Sequence, residues 1–278
     1  MKFANLGTAT SPPQQARRTA WCRRAGLAML LLVAAFALLG PVAIGLDPAR
    51  QSLVDSLQSP SATHWLGTDL LGRSVLSRLA HAAQLSLGLS LLAAVTAAVP
   101  GVLLGVAASW RGGRTELALV MLADAVLSIP GLLLVLLFAA LAPGQQWALY
   151  LGLSLSLWVE YFRVSRAASG PVLAGDAVQA SRLLGFGWVH ILKRHLLPAL
   201  APVLGTLLAF SAAQAVLALA ALGFIGVGLQ PPTAELGLMM IEFLPHYTEA
   251  PWLIAAPVAL LMLLVLGMML LAGEGDVA

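Results

Sequence analysis

The sequence DAVQASRLLGFGWVHILKRHLL occupies residues 176–197, and Pro198 follows it. It is polar and basic, with Arg182, Lys193 and Arg194, and its composition is compatible with short helices. Long apolar segments precede and follow it, so it lies between candidate membrane-spanning helices. Connections of this kind are usually short, so a longer basic loop that contains glycine indicates a surface for a soluble partner. Five of its residues form an apolar surface that either contacts a partner or lies in the membrane interface, with Trp188 as an anchor: Leu183, Leu184, Phe186, Trp188 and Val189.

The composition of the whole chain excludes an ordinary soluble domain. Of its 278 residues, 60% are hydrophobic and only 10% are charged, and the mean hydropathy is +0.91. The net charge of +3 does not predict a nucleic-acid partner, because no basic stripe with interleaved aromatic residues exists. The single cysteine, Cys22, has no second cysteine in the chain with which to form a disulfide.

Six apolar runs predict an all-α, polytopic membrane protein with about six transmembrane helices, since a span needs roughly 20 mainly apolar residues. The first is predicted to be an uncleaved span, because it is longer than the apolar part of a signal peptide and no cleavage site follows. The fourth is the weakest and contains Glu160. The runs are Ala25–Leu46, Leu85–Ala108, Leu117–Ala142, Trp147–Phe162, Leu196–Leu229 and Pro251–Ala272.

The basic residues predict the orientation. With the N-terminus in the cytoplasm, 12 of the 15 Lys and Arg residues fall in cytoplasmic segments, and only Arg50, Arg73 and Arg78 fall outside. Both termini are therefore expected in the cytoplasm. The predicted division is a tail at 1–24, disordered over 1–16, a transmembrane domain at 25–272 and a C-terminus at 273–278. Within the domain, 47–84 and 230–250 are expected to be external and 163–198 to be a cytoplasmic loop.

An external motif, HWLGTDLLGRSVLSRLAHAAQLSL, covers residues 64–87. Thr68 and Asp69 suit a helix N-cap, and Val75, Leu76 and Leu79 then form an apolar helical face. The spacing alone favours a surface helix that lies against the membrane. The candidate functional residues of this motif are Gly67, Thr68, Asp69, Gly72 and Arg73.

Two acidic residues lie inside predicted spans, where a carboxylate is a functional candidate because its desolvation is costly. For Asp124 we expect a structural pair with Arg111 or Arg114, with roles in gating or substrate contact as the alternatives. Glu160 precedes Arg163 by three residues, which predicts a local ion pair near the cytoplasmic boundary.

The uncharged run Leu196–Leu229 is 34 residues long, more than one straight span needs. A kinked or tilted helix that enters a re-entrant turn near an external gate would use this length. Ordinary close helix packing through small residues is the alternative, and the sequence leaves both open. The candidate gate residues are Gly226, Gly228, Pro231 and Pro232.

The chain carries no signature of an enzyme, a resident metal or a cofactor. It has no Walker-type phosphate loop, no HExxH and no Gly-x-Ser-x-Gly. The five histidines fall on both predicted faces of the membrane, and a transport metal site from His64, His81 and His246 is the less favoured interpretation.

Four motifs in order carry a family resemblance: LGTDLLGRSVLSRL at 66–79, SIPGLLL at 128–134, WVEYFRVSRA at 158–167 and GFIGVGLQPPTAELG at 223–237. Together they resemble the binding-protein-dependent ATP-binding cassette importers of the peptide/nickel family, and more narrowly the second of their two paired permease subunits. The similarity extends from about His64 to Ala272. It implies the type I permease fold of these importers.

The opening stretch is similar to the cytoplasmic signature of that family, which begins Glu-Ala-Ala and ends near Leu-Pro. Here Gln179 and Ser181 depart from the pattern, whereas Ala180, Gly185 and Pro198 keep it. In the family this loop forms the coupling helix, seated in a cleft of the ATP-binding subunit. The resemblance thus implies coupling through these five residues and Arg182, although Gln179 lacks the charge that pairs with a partner arginine.

The resemblance implies a subunit without catalytic activity in a bacterial plasma (inner) membrane. Its expected partners are the lipid bilayer, a second homologous permease, two ATP-binding subunits and an extracytoplasmic substrate-binding protein. The substrate is nickel, a metal chelate or a di- or oligopeptide, with a slight lean toward the metal branch from 59–69 and 231–237. The rival classes are a stand-alone ion-coupled secondary transporter, which would show inverted repeats, and a membrane-embedded enzyme.

Overall fold

The computed structural model describes residues 13–45 and 47–273, and the side chains from residue 21 onward in these ranges. In this part of the chain all regular elements are helical. The α-helices are α1 Pro13–Ile44, α2 Val75–Arg111, α3 Gly113–Leu127, α4 Gly131–Leu141, α5 Gln146–Ala174, α6 Asp176–Leu183, α7 Trp188–Ile191, α8 Leu197–Ile225, α9 Leu236–Phe243 and α10 Pro251–Ala272. The all-α prediction is confirmed.

Four of the described helical segments are long and apolar enough to cross a membrane, and α3 with α4 makes a fifth if the bent pair counts as one span. The four are Trp21–Ile44, Val75–Arg111, Trp188–Ile225 and Pro251–Ala272. Helix α5 has the length of a span but carries Glu160, Arg163 and Arg166. The fourth predicted span, at 147–162, is therefore not tested by this criterion and stays a prediction that rests on α5.

The predicted third span, Leu117–Ala142, is not one straight helix in the structure. Helices α3 and α4 meet at an angle of 70° across the break at Ser128–Pro130. Proline lacks the N–H that would continue the helical ladder, and it disfavours a helical conformation at the residue before it. The break places irregular backbone within the predicted depth of the membrane.

Helices α2 and α5 pack side by side and run in the same direction. Gly101 of α2 lies against Trp158 and Tyr161, and Gly105, one turn on, lies against Ser165 of α5. A side chain at either glycine would overlap the backbone of α5. Small residues thus bring the two helices into close contact, as at other membrane helix interfaces.

The packing of the helices places the segments that connect them on two opposite sides of the helix bundle. Gly26 of α1 contacts Gly267 and Leu270 of α10, so the two helices are antiparallel and the ends of the described chain share one side. Trp110 at the end of α2 contacts Trp188, which adds α6 and α7 to that side. We call this the basic side, because the distribution of Lys and Arg predicted that these same segments lie on one side of the membrane. The opposite side holds residues 47–74 and 226–250.

Some predicted boundaries require correction. Residues 1–12 and 274–278 lie outside the described residues, but 13–16, predicted to be disordered, begin α1. Helix α5 continues to Ala174, so the connection predicted at 163–198 begins later. The run Ala25–Leu46 ends at Ile44 in α1, and the run Pro251–Ala272 coincides with α10.

Candidate functional site

The helices α6 and α7 are anchored to the spans by a small apolar cluster on the basic side. Val178 of α6 and Ile191 of α7 are buried in it, together with Leu196 and Leu200. A π-helical segment, Leu192–Leu196, joins α7 to α8. Burial of these side chains fixes both short helices against the ends of α2, α5 and α8.

The outward face of the same segment is apolar. Leu183 is 89% exposed and Leu184 is 76% exposed, and three further large side chains are about half exposed. We call these five residues the apolar surface: Leu183, Leu184, Phe186, Trp188 and Val189. Several exposed apolar side chains in a basic connecting segment indicate an interaction surface.

Gly185 lies in the middle of the apolar surface and has a φ of +81°, in the left-handed region that glycine adopts at least cost. Its N–H donates to the Arg182 carbonyl (3.0 Å), and the Phe186 N–H donates to the Ser181 carbonyl (3.1 Å), which ends α6. A Cβ at Gly185 would meet nothing within 4 Å. The chain itself therefore leaves space at this position.

Three of the other predicted coupling residues have exposed side chains. Gln179 donates from its side-chain Nε2 to the carbonyl of Ala174 (3.0 Å), and Ala180 is exposed beside it. Pro198 lies in the first turn of α8 and is exposed as well. These three positions are accessible to a partner.

Ser181 and Arg182 instead contact the chain itself. The Ser181 hydroxyl is buried and hydrogen-bonds with Nε2 of His195 (3.0 Å). The Arg182 guanidinium stacks over the ring of Trp110 at 4.5 Å, a cation–π contact. Both residues hold α6 in place, which the family signature alone does not indicate.

Asp124 of α3 pairs with Arg163 of α5 (2.7 Å). The expected partners, Arg111 and Arg114, were wrong. Arg114 precedes Asp124 by ten residues, which corresponds to about 15 Å along α3. Arg163 of the neighbouring α5 lies opposite the carboxylate instead.

Glu160 is not paired with Arg163 in the structure, so the predicted local ion pair is wrong. Because α5 continues to Ala174, Glu160 lies fourteen residues from either end of this helix, or about 21 Å. It lies in the middle of the helix, not near the cytoplasmic boundary. The next arginine, Arg166, pairs with Glu116 of α3 (2.6 Å).

Glu160 lines a cavity of about 310 Å³ between the α3–α4 break, α5 and α8. Ser156, one turn before Glu160, and Gln214 of α8 add polar groups to the lining. The other walls are apolar, from Val126, Ile129, Leu134, Leu153 and Ala218. An apolar cavity with a few convergent polar groups has the character of a small-molecule site.

On the opposite side, three buried charged residues, Asp69, Arg73 and Arg78, form a cluster with the partly buried Glu242. Asp69 binds the guanidinium groups of Arg73 (2.6 Å) and Arg78 (2.7 Å). Glu242 of α9 contacts the same two arginines, at 3.3 Å from Arg73 and 2.6 Å from Arg78. The cluster joins the start of α2 to α9.

The external motif is therefore a packed loop over residues 64–74 followed by the first turns of α2, whose apolar residues Val75 and Leu79 are buried, and it is not the expected surface helix. Helix α2 begins only at Val75, and its N-cap is Ser74, whose side chain accepts from the Ser77 N–H. The predicted caps have other partners: Asp69 binds the arginines, and the buried Thr68 hydroxyl accepts from the Gln58 N–H (2.9 Å) and donates to the Asp55 carbonyl.

The two glycines of this motif allow the loop to pack. Gly67 has a φ of +72° and Gly72 a φ of +69°. A Cβ at Gly72 would overlap the carbonyl of Ser52, and one at Gly67 would overlap the carbonyl of Gln58. The loop thus requires glycine at both positions for conformation and for space.

The candidate gate residues follow α8. Gly226 ends this helix in the left-handed conformation, and the chain then passes Gly228 and a cis Pro231–Pro232 bond. Glu235 caps the N-terminus of α9, with Oε2 accepting from the Leu238 N–H (2.8 Å). The run Leu196–Leu229 is thus a helix that ends in a turn, and the short buried helix α9 follows it, which favours the re-entrant interpretation.

The carboxyl group of Glu235 is almost completely buried. Burial raises its pKa above 4.5, against the opposing effect of backbone N–H donors from Gly237, Leu238 and Leu236. Its second oxygen, Oε1, has no hydrogen-bond partner among the described residues. Within the same residues no three His, Cys, Asp or Glu side chains are placed to hold a metal ion.

Comparison with known proteins gives consistent matches. Residues 101–273 match the family described as binding-protein-dependent transport system inner membrane component. The chain is 38% identical, over 90% of its length and 84% of the relative, to a di/tripeptide transport system permease protein of Pseudomonas aeruginosa. It is 33% identical to a nickel transport system permease protein of Escherichia coli (79% of each chain) and 28% identical to an oligopeptide transport system permease protein of Bacillus subtilis (87% and 79%).

Proposed function

The chain belongs to the family of binding-protein-dependent transport system inner membrane components, and we propose that it forms half of one import path beside a second permease. It is a permease subunit of an ATP-driven importer and not an enzyme. ATP hydrolysis is supplied by separate subunits, for which we propose two copies. An extracytoplasmic binding protein delivers the substrate.

The apolar surface carries the proposal for coupling. Leu183 and Leu184 are among the most exposed large side chains of the described chain, yet they lie on short helices anchored by buried Val178 and Ile191. A rigid apolar surface outside the membrane is suited to transmit movement, because a partner that grips it moves α5 and α8 with it. We assign this surface to the ATP-binding subunit.

Gln179 supports docking through shape more than through charge. Its amide donates to Ala174 of its own chain, and a net hydrogen bond contributes only ~0.5–1.5 kcal/mol. A Gln179→Ala variant should loosen assembly by about tenfold at most. Replacement by Glu would remove the donor to Ala174 while restoring the charge of the family signature.

The orientation follows from the basic side. This side holds the start of α1, the end of α10 and the segment with Arg182, Lys193 and Arg194. Cytoplasmic segments of membrane proteins are enriched in Lys and Arg. We therefore propose that the basic side and both termini are cytoplasmic, in a bacterial inner membrane.

For the substrate, we propose a di- or tripeptide, with nickel as the second candidate. The relative named for di/tripeptide transport shares 38% identity with this chain, against 33% for the relative named for nickel transport. This order favours the peptide branch over the slight lean toward metal that the sequence motifs suggested.

The test is uptake by proteoliposomes that contain the complete complex and the binding protein. We expect accumulation of radiolabelled dialanine that requires internal ATP, and its loss in a Leu183→Glu/Leu184→Glu variant. The control is a Leu53→Glu/Val54→Glu variant, whose two altered residues are similarly exposed but lie on the opposite side, and it should keep the ATP hydrolysis of the unmodified complex. Uptake driven by an ion gradient without ATP would instead identify a secondary transporter.

A further inference from the structure

Glu160 is a carboxylate in the middle of α5 without an ion-pair partner among the described residues. Both nearby arginines of this helix are used elsewhere, Arg163 by Asp124 and Arg166 by Glu116. Gln214 of α8 lies close enough to donate a side-chain hydrogen bond to Glu160, but it carries no charge. An acidic side chain at membrane depth that no structural pair explains indicates a functional position.

Polar groups from two helices surround Glu160. Ser156 and Glu160 lie four residues apart on α5, so they share one face of that helix. Gln214 lies opposite on α8, and the three polar groups line the same cavity of about 310 Å³. The space is sufficient for a small polar solute and is bounded elsewhere by apolar side chains.

The break between α3 and α4 opens one wall of this cavity. Val126 and Ile129, on either side of Ser128, both line it, and Gly131 at the start of α4 approaches Ser156 so closely that a Cβ there would overlap the hydroxyl. Interrupted helices at membrane depth occur where backbone lines a cavity or a path. The interruption and the unpaired carboxylate therefore coincide at one place.

We propose that Glu160, with Ser156 and Gln214, is a cation-accepting position in the translocation path. The inference rests on the proposed function, since it places a path along α5 and α8. The ligand is a positively charged group, either the ammonium of a peptide or a divalent cation. The carboxylate supplies the charge, and Gln214 and Ser156 supply neutral hydrogen-bonding groups that orient it.

The first test measures the charge of the cavity and needs no substrate. A cysteine is introduced as Ser156→Cys in the complete complex with Cys22→Ser. It is labelled either with a methanethiosulfonate reagent that carries a trimethylammonium group or with one that carries a sulfonate group. Each labelling rate is divided by the rate of the same reagent with a free thiol in solution. We expect the corrected ratio of cationic to anionic rate to fall by about fivefold in Glu160→Gln, because one negative charge is removed. Glu249→Gln, an exposed carboxylate on the opposite side, should leave the ratio unchanged.

An unchanged ratio in Glu160→Gln would overturn the proposal, and so would protection of the cysteine from both reagents. Ala218→Cys, on the α8 wall of the same cavity, provides a second reporter if Ser156→Cys does not assemble.

The second test distinguishes the source of the cation. Proteoliposomes that contain the complete complex are supplied with radiolabelled dialanine or Ni²⁺. We expect Glu160→Gln to lower uptake of the transported substrate at least fivefold while binding-protein-stimulated ATPase activity is retained, and Glu160→Asp to restore part of the uptake. A loss confined to dialanine identifies the ammonium, and a loss confined to Ni²⁺ identifies the metal ion.

Wild-type uptake by Glu160→Gln would overturn the inference alone, whereas absence of ATP-dependent uptake in the unmodified complex would overturn the proposed function. A parallel loss of uptake and ATPase activity would assign Glu160 a structural role and also overturn the inference.

Discussion

Arg78, which is completely buried at the start of α2, contacts the carboxylate of Glu242 in α9 at 2.6 Å. The two residues are 164 positions apart, and Asp69 binds the same guanidinium at 2.7 Å. The ring of Phe243 lies 5.7 Å from Arg78 and adds a cation–π contact. This pair therefore ties the external loop to the short helix that follows the candidate gate.

The first prediction concerns the stability of that cluster. Arg78→Ala would remove one of the two guanidinium groups that bind Asp69 and Glu242 and would leave Arg73 as their cation, which should cost about 1–3 kcal/mol. Arg50→Ala, an exposed arginine of the same segment, should change stability by less than about 0.5 kcal/mol. The midpoint of thermal unfolding of the purified complex measures the difference, and equal midpoints for the two variants would show that the cluster is not structural.

The second prediction concerns Glu235. Its pKa is raised in the folded protein, so the folded state binds a proton more tightly than the unfolded state does. Stability should therefore decrease as the pH rises through the interval from about 4.5 up to the raised pKa. Glu235→Gln removes this titration while keeping an acceptor for the Leu238 N–H. Unfolding midpoints across this interval should fall more steeply in the wild type than in Glu235→Gln; parallel curves would contradict the raised pKa.

The third prediction fixes the orientation with accessible positions. Val54 is 93% exposed and lies on the side opposite to Leu183. In a Cys22→Ser background, an impermeant thiol reagent added to intact cells should label Val54→Cys but not Leu183→Cys. Inside-out vesicles should reverse the pattern. Labelling of Leu183→Cys in intact cells would reverse the proposed topology.

The fourth prediction separates backbone conformation from partner contact at Gly185. Asn tolerates the left-handed region better than most residues, and a side chain at Gly185 meets no atom of this chain. Gly185→Asn should therefore preserve folding but reduce binding-protein-stimulated ATPase activity at least tenfold. Gly45→Asn, also at a positive φ and in open space but on the opposite side, should retain it. Full activity of Gly185→Asn would remove this residue from the coupling contact.

Local sequence signals predicted the parts of the fold that depend on local chemistry. Pro251 and Gly273 bracket α10, and its predicted bounds are those of the structure. The exposed apolar surface was likewise evident, because Leu183, Leu184 and Phe186 lie in a segment too polar to be a span. Proline at 130 was a signal for the break between α3 and α4, although the apolar content around it suggested one continuous helix.

Long-range pairs could not be predicted in the same way. Asp69 and Arg73 are only four positions apart in sequence, but Glu242, the second carboxylate that contacts Arg73, is brought to it only by the packing of α9 against α2. The partner of Asp124 was mistaken for the same reason, since Arg163 is close only through the contact of α3 with α5. That contact also leaves Glu160 free for the cavity.

If the apolar surface docks on an ATP-binding subunit, a photo-crosslink from Leu183 should reach that subunit. A benzophenone amino acid at this position in the complete complex should give one major adduct, which mass spectrometry identifies as the ATP-binding subunit; the same probe at Val54 should give none with that protein. Adducts of the Leu183 probe with lipid or with the second permease, and none with the ATP-binding subunit, would contradict the account.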